Sequence, residues 1–159
     1  MSNNKYKILI VEDDKNVRRL MSAVLTRYGY EPLTACNGEE ALEVLDTDAR
    51  IPYVVCWASS DKEEQIRANL SRLLAVAESY GICLLIKTSG IYADTAKLRS
   101  LLESYASDYT GALWDMHHPY RDFGESADTT IKNLGTYVKH VHLRDSDDKD
   151  TYNLIGEGN

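Results

Sequence analysis

Short apolar, β-branched runs alternate with amphipathic helical stretches along this chain, and that alternation restricts its fold more than any other feature. Apolar runs at 6–11, 31–36, 53–57, 82–86, 111–115 and 140–145 read as strands. Each of the first five is followed by a stretch of helical period. Strand-helix-strand repetition of this kind requires a mainly parallel sheet joined by right-handed crossovers. The run Tyr53-Val54-Val55-Cys56-Trp57 reads as a buried central strand of that sheet.

The helices carry their own boundaries. Val17, Leu20, Met21, Val24, Leu25 and Tyr28 recur at helical spacing as one stripe, and Gly29 stands where a left-handed residue closes a helix. Asn37 with Glu40, and Ser60 with Glu63, have the spacing of capping boxes. Ile66, Leu70, Leu73, Leu74 and Ala77 face inward on the third helix, which Gly81 ends. Asp94 or Thr95 caps a fourth helix whose stripe is Leu98, Leu101, Leu102, Tyr105 and Ala106. Residues 116–124 read as a loop rich in functional side chains, and Ser126 or Asp128 starts a weaker last helix. The charged run at 145–150 reads as a solvated loop.

With 159 residues, 43% hydrophobic and 27% charged, the chain reads as a single domain with one sizeable core. A net charge of −7 disfavours attraction to phosphate backbones, so nucleic acid is not an expected partner. No apolar run reaches membrane-spanning length, and residues 1–5 lead into a strand without a charged-then-apolar leader. Cys36, Cys56 and Cys83 are odd in number and far apart, as expected of reduced, buried thiols in a cytoplasmic protein.

Two resemblances divide the chain near residue 50. The string Ile8-Leu9-Ile10-Val11-Glu12-Asp13, then Asn16-Val17-Arg18-Arg19-Leu20-Met21, then Asn37-Gly38-Glu39-Glu40-Ala41-Leu42 resembles the opening βαβα of response-regulator receiver domains. The resemblance implies that Glu12 and Asp13 form an acidic, Mg²⁺-holding pocket beside a phospho-accepting aspartate. Cys56, Trp57 and Ala58 stand where that aspartate belongs, so phosphotransfer is not expected and the Glu12–Asp13 pocket is read as vestigial.

The second resemblance covers 54–159. Trp114-Asp115-Met116-His117-His118, then His140-Val141-His142-Leu143-Arg144-Asp145, then Gly156-Glu157-Gly158 is similar to xylose-isomerase-like sugar isomerase and epimerase barrels. It implies that Asp115 and His142 are metal ligands and His118 a substrate-side histidine. Lys87 stands at the position of a glutamate ligand, and the last glutamate ligand falls on a strand the chain does not reach. Lys87 itself reads as a solvated charge rather than a phosphate anchor. Asp115, His118 and His142 are therefore expected to be a vestigial metal site holding a divalent cation weakly at best, with no resident cofactor.

Joined, these readings predict an α/β, flavodoxin-like open sheet, mainly parallel, with order 2-1-3-4-5, a possible sixth strand and helices on both faces. The domain reading is one domain, 1–159, made of a receiver-like segment, 1–50, and barrel-derived βα units, 51–159. The functional expectation is an engineered fold chimera, not an enzyme, without native catalytic or signalling activity. Two alternatives accompany it, a metal-dependent sugar isomerase or epimerase-like protein with a degraded site, and a non-phosphorylatable receiver-type binding module. No specific partner is expected, and a monomer rather than a homodimer.

Overall fold

Two strands carry an unbroken run of non-polar residues, Cys83 to Ile86 and Gly111 to Trp114, and both sit in the middle of a sheet. In the computed structural model, which describes residues 6–48, 52–58 and 60–158, β4 (Cys83–Lys87) buries Cys83 through Ile86 and β5 (Thr110–Asp115) buries all but Trp114. Side chains covered on both faces of a parallel sheet explain why these runs lack polar alternation. The readings made for residues 1–5, 49–51, 59 and 159 lie outside the described residues.

The chain divides into two compact units, Met1–Pro52 and Tyr53–Asn159. In the first, β1 (Lys7–Val11) pairs in parallel with β2 (Glu31–Ala35) across α1 (Lys15–Arg27), and α2 (Gly38–Asp48) follows. Local signals are met closely here. Asp14 caps α1, accepting from the amides of Asn16 at 2.7 Å and Val17 at 3.0 Å. Gly29 turns the chain at φ 87°. Asn37 accepts from the Glu40 amide at 2.9 Å, while the Glu40 carboxylate reaches back to the Cys36 amide at 2.8 Å.

The expected buried stripe of α1 is not buried. Leu20 is 66% and Tyr28 75% exposed, and α1 has no buried residue. A two-stranded sheet offers one helix too little apolar surface to bury it, and among the described residues of this unit the buried apolar side chains are Ile10, Ala35 and Ala41.

The second unit holds a four-stranded sheet in the order β3-β4-β5-β6, all parallel. Its outer strands are β3 (Tyr53–Cys56) and β6 (Val138–His142). The flavodoxin-like order therefore fails among the described residues: β1 pairs with β2 alone, and β3 is an edge strand with Tyr53 and Val55 exposed. An apolar, β-branched run does not distinguish an edge from a centre, because that depends on which strand comes to lie beside it. Helix α3 (Glu63–Tyr80) buries Leu70, Leu74 and Ala77 but leaves Leu73 half exposed. Its first turn lacks the expected capping box, since Ser60 accepts from the Lys62 amide instead. After β4 comes a 3-10 turn (Gly90–Ala93), then α4 (Thr95–Tyr105), capped by Asp94 and burying Leu98, Leu101 and Leu102.

Two regions differ from the sequence reading. The expected loop after β5 is a short helix, α5 (His117–Phe123), closed by Gly124 at φ 72°. Pro119 lies in its first turn, where the missing amide donor costs nothing. The chain then forms α6 (Ala127–Leu134), capped by Ser126 and joined to α4 through the Glu125 carboxylate, which accepts from Thr95 and Thr130 at 2.5 and 2.6 Å. Strand β6 begins and ends earlier than expected. It draws so close to β5 that a Cβ on Gly111 would come within 2.8 Å of the Lys139 side chain. Residues 145–150, read as a solvated loop, start a small antiparallel hairpin of β7 (Asp145–Ser146) and β8 (Tyr152–Asn153). Asp148 turns it by accepting from the amides of Asp150 and Thr151.

Candidate functional site

Parallel strands present their carboxyl ends together, and the charged residues of the second unit collect there. Lys87 ends β4, Asp115 ends β5, His118 lies in the first turn of α5, and His142 ends β6 with Arg144 two residues beyond. Asp115 is fully buried at their focus. Thr88, also fully buried, fixes it: the Thr88 hydroxyl donates to the Asp115 carbonyl at 3.0 Å and accepts from its amide at 2.9 Å. One carboxylate oxygen, Oδ1, accepts from the His117 amide at 3.3 Å.

The other oxygen, Oδ2, faces four nitrogen-bearing side chains. Lys87 Nζ lies 3.0 Å away, an Arg144 guanidinium nitrogen 3.3 Å, His118 Nε2 3.9 Å and His142 Nδ1 4.0 Å. None makes a well-aligned hydrogen bond to it, so its ties are electrostatic. Burial alone raises the pKa of Asp115, but the Lys87 contact and the charges of Lys87, Arg144 and His118 outweigh it and hold the carboxyl below its ordinary value. His142 is driven the other way. Desolvation lowers its pKa, Asp115 opposes that, and His140, Lys87 and Arg144 add to the lowering, leaving a neutral imidazole at neutral pH.

The three barrel-type residues expected from the sequence, Asp115, His118 and His142, are therefore brought together. Lys87 is not the solvated charge that was expected, being only 16% exposed and paired with Asp115. Arg144 had been given no role. The spacing of His142 and Arg144 was the available signal, because alternate residues of an extended segment point to the same side.

A divalent metal does not fit this donor set. Two cations already sit on Oδ2, the oxygen that would ligate it. At an effective dielectric of about 20, a divalent ion about 4 Å from a unit positive charge is repelled by roughly 8 kcal/mol. His118 is also committed elsewhere, with Nδ1 2.7 Å from Asp122. Among the described residues, His117, His118 and Asp122 bring three potential ligand atoms within 4.8 Å of one another. The His117 nitrogens, however, lie 3.1 Å from the Lys149 carbonyl and 3.2 Å from the Ser146 hydroxyl.

The receiver-type acids, Glu12 and Asp13, occupy the end of β1 in the first unit. Each side chain accepts from the Asp14 amide at 3.1 Å, and Arg18 donates to the Glu12 carbonyl at 2.5 Å. They shape the entry to α1. Cys56 ends β3, and burial pushes its pKa to about 11, so it remains a thiol. A cavity of about 300 Å³ adjoins the charged cluster, lined among others by Trp114, His117, Arg121, Glu125 and Arg144. It shares Arg144 with the cluster, but Asp115, Lys87, His118 and His142 do not line it.

No family model matches the chain. Over 44 residues it is 54% identical to a "Probable transcriptional regulator ycf27" of Pyropia yezoensis, covering 28% of this chain and 18% of that protein. Over 41 residues it is 46% identical to the "Uncharacterized transcriptional regulatory protein YrkP" of Bacillus subtilis, covering 26% of this chain and 18% of that one. The chain thus spans less than a fifth of these relatives, which support a response-regulator-like segment and nothing about a whole regulator. Among solved structures, it is similar to a "Xylose isomerase domain protein" from Planctomyces limnophilus, with TM-score 0.63 and 13% identity, covering 97% of this chain and 73% of that one. A "D-tagatose 3-epimerase-like protein" gives TM-score 0.60 and 20% identity, covering 98% and 73%. The expectation of an engineered chimera without activity is overturned here, and with it the expectation of a non-enzyme. Nearly the whole chain, not just its second part, follows a fold seen in isomerase- and epimerase-type proteins. No helix among the described residues is long and apolar enough to cross a membrane. The chain is an α/β protein with mainly parallel sheets, six described α-helices and barrel-type, xylose-isomerase-like structural neighbours.

Proposed function

We propose that the chain is a sugar isomerase- or epimerase-like protein that works at the carboxyl ends of β4, β5 and β6 without a divalent metal. One observation carries the reading: a fully buried carboxylate, Asp115, fixes a lysine at 3.0 Å and has two histidines facing it from adjacent elements. Aldose-ketose interconversion and epimerisation beside a carbonyl share one first step, the loss of a proton from the carbon next to the carbonyl. His142, neutral at neutral pH, accepts that proton, and Asp115 stabilises the imidazolium so formed. The electrons of the broken C–H bond form the enediolate double bond, and the charge that develops on the former carbonyl oxygen is met by the Lys87 ammonium. Return of the proton to the former carbonyl carbon, while the neighbouring hydroxyl gives its proton to the former carbonyl oxygen and so becomes the new carbonyl, isomerises the sugar. Return to the opposite face of the original carbon epimerises it. His118, oriented by Asp122, hydrogen-bonds the hydroxyls.

The test is proton exchange. The full chain is incubated in D₂O with xylose, xylulose, tagatose and fructose, and with carboxylated and phosphorylated sugars, in the presence of a chelator. NMR is expected to show deuterium entering beside the carbonyl of at least one sugar, with the rate lost in His142→Gln. Exchange that needs added metal, or no exchange with any sugar, overturns the reading.

A further inference from the structure

The rim of β4, β5 and β6 carries more positive charge than its own carboxylate neutralises. Lys87 and Arg144 both approach a single oxygen of Asp115, at 3.0 and 3.3 Å, although one cation suffices to balance one carboxylate. The nearby histidines do not correct the surplus. His118 already has its own carboxylate partner in Asp122 at 2.7 Å, and His142 packs against His140, with ring centroids 5.4 Å apart.

The surplus cations are also held in place and have donors to spare. Lys87 is fixed at the end of a buried strand and remains 16% exposed. Arg144, 36% exposed, lies with its guanidinium carbon 5.5 Å from the centre of the Tyr152 ring, so the β8 hairpin steadies it. A guanidinium has five donors, and a planar fork of this kind matches a carboxylate or phosphate. A neutral sugar can satisfy hydrogen bonds here, but it leaves the extra charge unanswered. Had the cations served only to neutralise Asp115, one of them would be redundant.

We propose that the sugar taken at this rim is anionic, bearing a carboxylate or a phosphate that Arg144 binds, with the Lys87 charge close by, beside the Asp115 cluster. This deepens the isomerase- or epimerase-like reading and rests on it. The anion is anchored by the Arg144 guanidinium, while Lys87 faces the carbonyl oxygen and His118 and His142 face the carbon chain.

Calorimetric titration of the full chain with matched pairs tests this: glucose against glucuronate, and fructose against fructose 6-phosphate, with acetate and inorganic phosphate as controls. At least one anionic sugar is expected to bind about tenfold or more tighter than its neutral counterpart. The two pairs show whether carboxylate or phosphate is the anion recognised. Binding of that sugar should weaken as salt rises and fall about tenfold in Arg144→Gln, whose fold is checked by circular dichroism. Salt dependence in the unaltered chain keeps the test decisive should that variant misfold. Equal affinity for neutral and anionic sugars overturns the anionic class and leaves the sugar reading standing. Unchanged affinity in a folded Arg144→Gln overturns the assignment of the anion to Arg144. If no sugar binds, or if phosphate and acetate bind as tightly as the sugars carrying them, both readings fall.

Discussion

The two units of this chain obey the same local rules and differ in what those rules accomplish. In the first, capping, turn and strand pairing are all in place, yet α1 leaves Leu20 and Tyr28 mostly in water. In the second, β4 and β5 are covered almost throughout, α4 packs one apolar face inward, and Leu98, Leu101 and Leu113 are fully buried. The first unit is where the sequence looks most like a known family. The second holds the core and the charged site. Close sequence resemblance over a short segment therefore records inherited local structure. Burial depends instead on how many apolar faces the rest of the fold supplies.

That contrast fails most visibly if core truncations behave alike in the two units. Leu113→Ala removes a side chain packed with Cys83 and Leu85 in the buried cluster and is expected to cost about 3–4 kcal/mol in urea unfolding followed through the second unit. Leu20→Ala is expected to cost less than about 0.5 kcal/mol. A Leu20 variant as damaging as the Leu113 variant would mean that α1 is covered in solution.

A smaller effect sharpens the comparison at the site. Asp115→Asn leaves Lys87 without its countercharge in a half-dry environment and is expected to cost about 3 kcal/mol at neutral pH. The pH dependence has a defined sign. The folded pKa of Asp115 lies below its unfolded value, so the unfolded chain binds this proton more readily. The stabilisation is complete above the ordinary carboxylate range and is lost as pH falls through it toward the folded pKa. Thermal unfolding from pH 7 to pH 3 should therefore show a steeper acid loss in the unaltered chain than in Asp115→Asn. Parallel curves would mean that the Lys87 and Arg144 contacts contribute little.

Much of this was legible from residues alone, and the misses share one cause. Gly29, Gly81 and Asp94 act where the sequence placed them, because a cap or left-handed turn is decided by a few neighbours. Asp115, His118 and His142 converge as the strand ends required. What failed was non-local. The run Tyr53-Val54-Val55-Cys56 names a strand but not its neighbours, so its edge position was missed. Lys87 reads as a surface charge until Asp115 is known to lie beside it. The hairpin of β7 and β8 was hidden by its charged turn, where Asp148 binds backbone amides.

The smallest expected effect separates local from global structure. Asp14 caps α1 and Asp94 caps α4 through the same pair of amide contacts, at 2.7 and 3.0 Å in one and 3.1 and 3.3 Å in the other. Replacing either aspartate by alanine removes the same local interaction, so first-turn amide exchange should quicken in each helix by about fivefold. The baselines should differ. Amides of α4 sit on buried leucines and open only with the surrounding core, whereas those of α1 open near the rate of an exposed helix. Equal increments on unequal baselines would place the difference between the units in burial. Unequal increments would mean that the caps themselves depend on what the helices pack against.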